Sequence, residues 1–419
     1  MRTKGFYGWW ITAATFVTFG ISVGIPYYNL PFFYDYYQKT FDWSRSEITL
    51  GFPVAAILTL WVGPLLIPRL DARKSIVIGT GLTLLALTGF SHMGGNLVFY
   101  YALWILYTMG YILSGPIPHQ VIVSQWFRRN RGKAMGLVYV GVGVIASLGS
   151  ILVKELTEAF NFRIALQIIA AIMLIAWPIA FFVIKLKPSD KGQFPDGDEK
   201  PPEVAPVKPC TYRYLLGKYQ FWLLLVGSFC SIGAIGSINI HMKFVFFDQG
   251  FKDQGLLDAT WRTANVAILW SSIIGRVVVG SLADRFPMKY VMFSTYFVTA
   301  ATIPLLLTVR PPGAPWAFAV LFGLAMGADY MLIPLMAARQ FGVNNLAKAM
   351  AIILPSDTIG QTWLPYLVAQ LRERSVDYTW PLYSIFFIAL IGATSIALLP
   401  KRGAESEEIH LSSPGRATT

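Results

Sequence analysis

Long apolar runs recur along nearly the whole chain, and they decide its solvent. A helix needs about 20 mostly apolar residues to cross the hydrocarbon core of a bilayer. About twelve stretches meet that length: 6–33, 47–68, 75–95, 97–126, 134–158, 163–186, 219–246, 262–283, 288–309, 316–340, 347–370 and 379–400. Membrane-spanning strands would instead alternate over about ten residues. Composition agrees: hydrophobic residues make up 55 % of the 419, charged residues 13 %, and mean hydropathy is +0.54. An average soluble domain carries about 25 % charged residues. A disordered chain, a collagen-like chain and most soluble enzymes are excluded. The expected class is an all-α membrane protein.

Charge then gives orientation. The net charge of +12 suits nucleic acid, an acidic partner or membrane topology. Its distribution chooses topology. The termini and the loops after the even-numbered spans hold about 23 Lys/Arg and the opposite loops about 10, and a Lys/Arg excess marks the cytoplasmic side. Both termini are therefore expected in the cytoplasm, in a multi-pass protein of the plasma (inner) membrane. The cluster Arg128, Arg129, Arg131, Lys133 sits between two apolar spans, so it reads as a cytoplasmic loop and no nucleic acid is expected. Two cysteines, Cys210 and Cys230, make no disulfide framework, and no Cys/His cluster has metal-ligand spacing. No metal or cofactor is expected.

One long polar interruption divides the spans. Its prolines and charges, from Lys185 to Lys218, read as a flexible linker. The expected layout is an N-terminal six-helix bundle over 1–186, a cytoplasmic linker over 187–218, a C-terminal six-helix bundle over 219–400 and a tail over 401–419. The halves echo each other. Phe127…Lys133-Ala-Met135 follows the fourth span and Phe341…Lys348-Ala-Met350 follows the tenth. Gly280-Ser-Leu-Ala-Asp284-Arg285-Phe follows the eighth, with a shortened counterpart, Arg69-Leu-Asp71-Ala-Arg73-Lys74, after the second. Two related halves joined by a linker are the architecture of a rocking transporter with a mid-membrane site.

On these residues the chain resembles the major facilitator superfamily, which implies twelve transmembrane helices in two pseudo-symmetric bundles. Gly280, Asp284 and Arg285 match that superfamily's loop signature, in which the Asp caps a helix start and the Arg pins neighbouring helix ends. A narrower resemblance is to the monocarboxylate porters, including lactate/proton symporters and oxalate:formate exchangers. Tyr7-Gly-Trp-Trp10, Phe41-Asp-Trp-Ser-Arg-Ser-Glu47, Gly115-Pro-Ile-Pro118 with Trp126-Phe127, His241 to Gly250, and Gly275-Arg276 carry it in order.

Ionisable residues deep in a span cost roughly 2.5–3.5 kcal/mol each, so each is a functional candidate. Arg276 lies about eight residues before Asp284, roughly 12 Å from the helix end at 1.5 Å per residue. Its guanidinium fork matches a carboxylate bidentately, and the resemblance implies that role. Symporters of the group often carry an Asp one turn earlier, where this chain has Ser272. Asp329 and Asp357 are the other deep charges. Burial favours the neutral form of a carboxyl unless a cation is close. Either one is expected to pair with Arg276 and take a proton when substrate displaces it. The resemblance puts a Lys of oxalate exchangers where Asp357 stands, which points away from a dianion. His241 is a candidate for proton coupling or substrate contact. His119 reads as a packed histidine. Tyr111 and Tyr330 occupy equivalent spans of the two halves and are substrate-binding candidates, as is Asn29 after Pro26.

The expected function is secondary transport of a small organic anion, most simply proton-coupled monocarboxylate symport by a monomer. The alternatives are anion exchange and, in another class, a multi-spanning sensor or intramembrane enzyme. No His-Glu-x-x-His and no phosphate loop supports an enzyme.

Overall fold

Backbone amides and carbonyls in hydrocarbon must pair within their own segment, and the apolar runs accordingly form helices. The computed structural model describes residues 5–199, 210–311, 313 and 315–400. Its first six helical segments are α1 (Gly8–Phe41), α2 (Glu47–Leu58 with Val62–Arg69), α3 (Ala72–His92), α4 (Leu97–Trp126), α5 (Arg131–Ala159) and α6 (Phe162–Val183). Then come α7 (Tyr219–Asp248), α8 (Gln254–Arg285), α9 (Met288–Leu306), α10 (Trp316–Phe341), α11 (Val343–Glu373) and α12 (Thr379–Ala397). Among the described residues nine are long and apolar enough to cross a membrane, ten when the two arms of α2 count as one span. The other two expected spans, α9 and α11, are helical but more polar. Thr295, Thr299 and Thr302 are buried in α9, and Lys348, Asp357 and Arg372 lie along α11.

Two compact units result, Met1–Pro202 and Glu203–Thr419. Proline sets the irregularities of the first. A π turn at Gly20–Gly24 precedes Pro26, which has no N–H to continue the ladder. The arms of α2 bend by 41° just before Pro64. α4 breaks at Gly115, ahead of Pro116.

Helix pairs within each unit meet backbone to backbone, which is how helices gain packing energy where lipid removes the hydrophobic drive. Between α1 and α5, a Cβ on Gly24 would lie 2.7 Å from the Val142 carbonyl and one on Gly141 2.6 Å from that of Phe16. The corresponding pair of the second unit, α7 and α11, repeats the device: a Cβ on Gly236 or Gly360 would lie 2.8 Å from the carbonyl of Gln361 or Phe229. α8 and α10 are closer still. A Cβ on Gly275 would collide with the Leu324 carbonyl, and one on Gly327 with that of Ser272.

The polar loops are fastened. Asp71 caps α3 through the Lys74 amide at 2.8 Å, so the shortened loop copy keeps its cap. At the other copy, Pro287 precedes α9 without a side-chain cap. Asp284 lies in the last turn of α8, beside Arg285, and the chain turns at Phe286-Pro287.

The linker also departs from a free tether. Asp196 accepts from the amides of Arg128 (2.9 Å), Arg129 (2.7 Å) and Asn130 (3.2 Å), and Asp198 pairs with Arg129. Gln193 accepts from the Tyr7 amide at 3.0 Å. On the other unit the Cys210 amide donates to Asn345 at 2.8 Å, and Lys348 donates to the Cys210 carbonyl at 2.7 Å. The linker's ends thus bind the α4–α5 and α10–α11 turns, where the sequence echoes lie. Residues 200–209 and the 401–419 tail lie outside the described residues.

Overpacking a close contact typically costs about 1–3 kcal/mol. Gly327→Ala should therefore melt below the parent protein in detergent. Gly94→Ala, whose Cβ would meet nothing within 4 Å, should not. Thermal unfolding followed by size-exclusion fluorescence checks both.

Candidate functional site

Arg276 is half-buried on α8, and its Nε donates to the Gly327 carbonyl of α10 at 3.3 Å. The glycine at 327 makes this possible, because it lets α8 lie directly on the α10 backbone. Two residues further along α10, Asp329 is completely buried, and Asp357 of α11 is 1 % exposed. The sequence led us to expect Arg276 as their partner; the hydrogen bonds seen on these carboxyls come from serines. Ser231 of α7 donates to Asp329 Oδ2 at 2.5 Å, and Ser228 of α7 donates to Asp357 Oδ1 at 2.6 Å. Three residues apart, these serines share one face of α7. They reach the carboxyls because α7 packs against both α10 and α11.

The remaining oxygens are less well served. Asp357 Oδ2 is buried without a hydrogen-bond partner, and Asp329 Oδ1 has only the Tyr296 hydroxyl of α9 beside it, in poor hydrogen-bond geometry. Tyr296 lies near both carboxyls, and the two carboxyls lie near each other. The serines and Tyr296 escaped the sequence reading. Hydroxyls in an apolar helix are common, and only the i, i+3 spacing of Ser228 and Ser231 signals a shared face.

Tyr330 donates to Gln361 at 2.9 Å, joining α10 to α11. His241 is differently placed from a free proton carrier. Its Nε2 faces the Pro365 carbonyl at 2.9 Å and must donate to it, so Nδ1 accepts from the Tyr378 hydroxyl at 3.0 Å. Beyond Tyr378, Arg372 lies 5.3 Å from the ring centroid and pairs with Asp248 at 2.8 Å. This chain of contacts ties α7, α11 and the start of α12. There Asp377 accepts from the Thr379 amide at 2.9 Å, a bond that holds its carboxyl below the usual range.

In the first unit Asn29 is committed to packing. Its amide donates to the Ile25 carbonyl at 2.8 Å, and its carbonyl accepts from Ser150 at 2.6 Å. The α1–α5 contact uses both ends, which leaves little of the side chain for a substrate. Tyr111 stacks on Tyr27 with centroids 5.4 Å apart. His119 is packed, with Nδ1 on the Gly115 carbonyl at 2.7 Å and Nε2 on Thr18 at 2.9 Å. Gly20-Ile-Ser22-Val-Gly24 has the letters of a hydrolase nucleophile turn. Ser22, however, is buried in the π turn and donates to the Ser114 carbonyl at 2.8 Å.

A groove of about 440 Å³ between α8, α9 and α10 is lined by Val279, Leu282, Phe286, Tyr290, Leu321 and Leu324 among others. It carries no charged side chain and does not suit a carboxylate.

The profile of the Major Facilitator Superfamily matches residues 116–270. Monocarboxylate transporter 11 of Mus musculus is 24 % identical over 387 residues, covering 90 % of this chain and 83 % of its own. Monocarboxylate transporter 10 of Rattus norvegicus is 22 % identical, covering 85 % and 68 %. The structure of the proton:xylose symporter XylE superposes with a TM-score of 0.70 at 12 % identity, covering 97 % of this chain and 99 % of that one.

Loss of one buried hydrogen bond costs about 0.5–1.5 kcal/mol. Tyr378→Phe should lower stability by that amount in a denaturation assay. Because His241 is a packing contact here, the pH profile of uptake should stay where it is.

Proposed function

We propose that this major facilitator superfamily transporter, which resembles the monocarboxylate porters, carries a small organic anion, a monocarboxylate, together with a proton. The observation that carries the reading is Arg276: a guanidinium well inside an apolar helix, held against a glycine carbonyl. A carboxylate offers that fork two charge-assisted hydrogen bonds in place of a neutral one. The names of the related transporters support the same substrate class.

Transport proceeds by alternating access, the mechanism of two-repeat transporters. Tyr111 and Tyr330 contribute hydroxyls to the substrate path, and Asp329 and Asp357 serve proton coupling. The protein works as a monomer in the plasma (inner) membrane with both termini in the cytoplasm, as the Lys/Arg distribution supports. Deep, buried carboxyls favour symport over exchange, because a strict exchanger has no need of a group that changes charge.

A lost hydrogen bond to a charged group costs about 1.5–3 kcal/mol. Arg276→Ala should weaken anion binding roughly ten- to a hundredfold and abolish uptake while the protein still inserts. Arg276→Lys, with a point charge in place of a fork, should also fail. Normal uptake by Arg276→Ala overturns the assignment. In proteoliposomes free of internal anion, an inward proton gradient should drive uptake; a strict need for internal anion would establish exchange instead.

A further inference from the structure

We propose that Asp329 and Asp357, with Ser228, Ser231 and Tyr296, form a single site for one monovalent cation, a proton or a sodium ion, separate from the arginine that takes the anion. The inference rests on the reading of the protein as an ion-coupled transporter. It goes further by making the two carboxyls one binding unit with its own occupant.

The geometry carries it. Both carboxyls are buried, one on α10 and one on α11, and one face of α7 supplies a single hydroxyl donor to each. That leaves one oxygen of Asp357 bare and one oxygen of Asp329 with only the poorly aligned Tyr296 hydroxyl beside it, all inside the helix bundle. A buried oxygen with no donor normally costs about 1–3 kcal/mol, more for a charged group. Two carboxyls so poorly served are expensive to keep ionised together.

An occupant that relieves this must be positive. Two like-charged carboxylates within reach of each other do not both stay ionised in a low dielectric, and one proton held between them removes the conflict. An oxygen-ligated alkali cation does the same. The ionisable groups around the pair supply no substitute. α7 presents Cys230, which is buried, and α9 presents Tyr296. α8 presents Arg276, whose Nε is on the Gly327 carbonyl. On α7, His241 is bonded to Pro365 and Tyr378, and on α12 Tyr383 is exposed. Serine hydroxyls donate but bring no charge.

α10 links this pair to the anion's arginine. The Gly327 carbonyl receives Arg276, and Asp329 follows on the same helix. The two ligands therefore bear on one rigid element, which is the minimum a coupled transporter needs.

The test uses purified full-length protein with no organic anion present. Infrared difference spectra of protein labelled with ¹³C-aspartate are recorded on raising pH at constant potassium, and on replacing potassium with sodium at constant pH. The expected result is loss of a protonated carboxyl band as pH rises, or a shift of the carboxylate bands specific to sodium. The first identifies the proton as occupant, the second sodium. Asp329→Asn and Asp357→Asn should each abolish the response and cation-driven uptake while anion counterflow persists. Arg276→Ala should keep the response. A wild-type spectrum indifferent to both pH and sodium overturns the proposal without recourse to any variant, as does gradient-driven uptake surviving in both Asn variants. A cation response in a protein that carries no carboxylate would instead remove the proposed substrate and leave this site standing.

Discussion

The contact between Gly327 and the backbone of Ser272 holds the second unit's chemistry in place. No side chain fits there, so α8 and α10 touch directly and the Arg276 guanidinium meets a carbonyl of α10 rather than lipid. A charge inside a bilayer needs a polar partner at fixed distance, and a main-chain carbonyl on a rigid neighbour is one that does not titrate. Widening the α8–α10 gap by one methyl group would cost packing energy and also move the arginine off its acceptor. Stability and the placement of the guanidinium depend on the same few atoms.

The two units use one helix-packing scheme and fill it differently. In the first, the α1–α5 contact is bridged by Asn29 and Ser150, both neutral. In the second, the corresponding α7–α11 contact is bridged by Ser228 and Asp357. The amide of Asn29 is satisfied by Ser150 together with the Ile25 and Ala146 carbonyls. Ser228 serves one oxygen of Asp357 and leaves the other. The two units thus bridge corresponding joints with a neutral group in one and a titratable group in the other.

Helices were legible in the sequence because membrane spans depend on composition and length, which need no tertiary information. Arg276 and the two aspartates were legible because a deep charge stands out against apolar neighbours. Their partners were not. The expected ion pair of an aspartate with Arg276 follows from charge alone, whereas the actual donors, Ser228 and Ser231, are set by which face of α7 turns inward. Asn29 is a similar case: a polar residue after a proline looks available until α5 is seen to use both ends of its amide, Ala146 accepting and Ser150 donating. The linker was read from composition as a tether, yet Asp196 and Cys210 are tied to turns. Backbone amides at a helix start attract a carboxylate whatever the surrounding proline content.

Burial alone does not separate the titratable groups of this protein. His119, His241, Asp329 and Asp357 are all buried. What separates them is how many of their polar atoms the fold has already used. Each histidine has both ring nitrogens engaged, so a change of protonation would break a packing contact and gain nothing. Each aspartate has one oxygen well bonded to a serine; the other is bare in Asp357 and has only a poorly aligned Tyr296 hydroxyl beside it in Asp329. A group with unused hydrogen-bonding capacity in a closed interior is held there at a cost that its fixed packing partners do not offset.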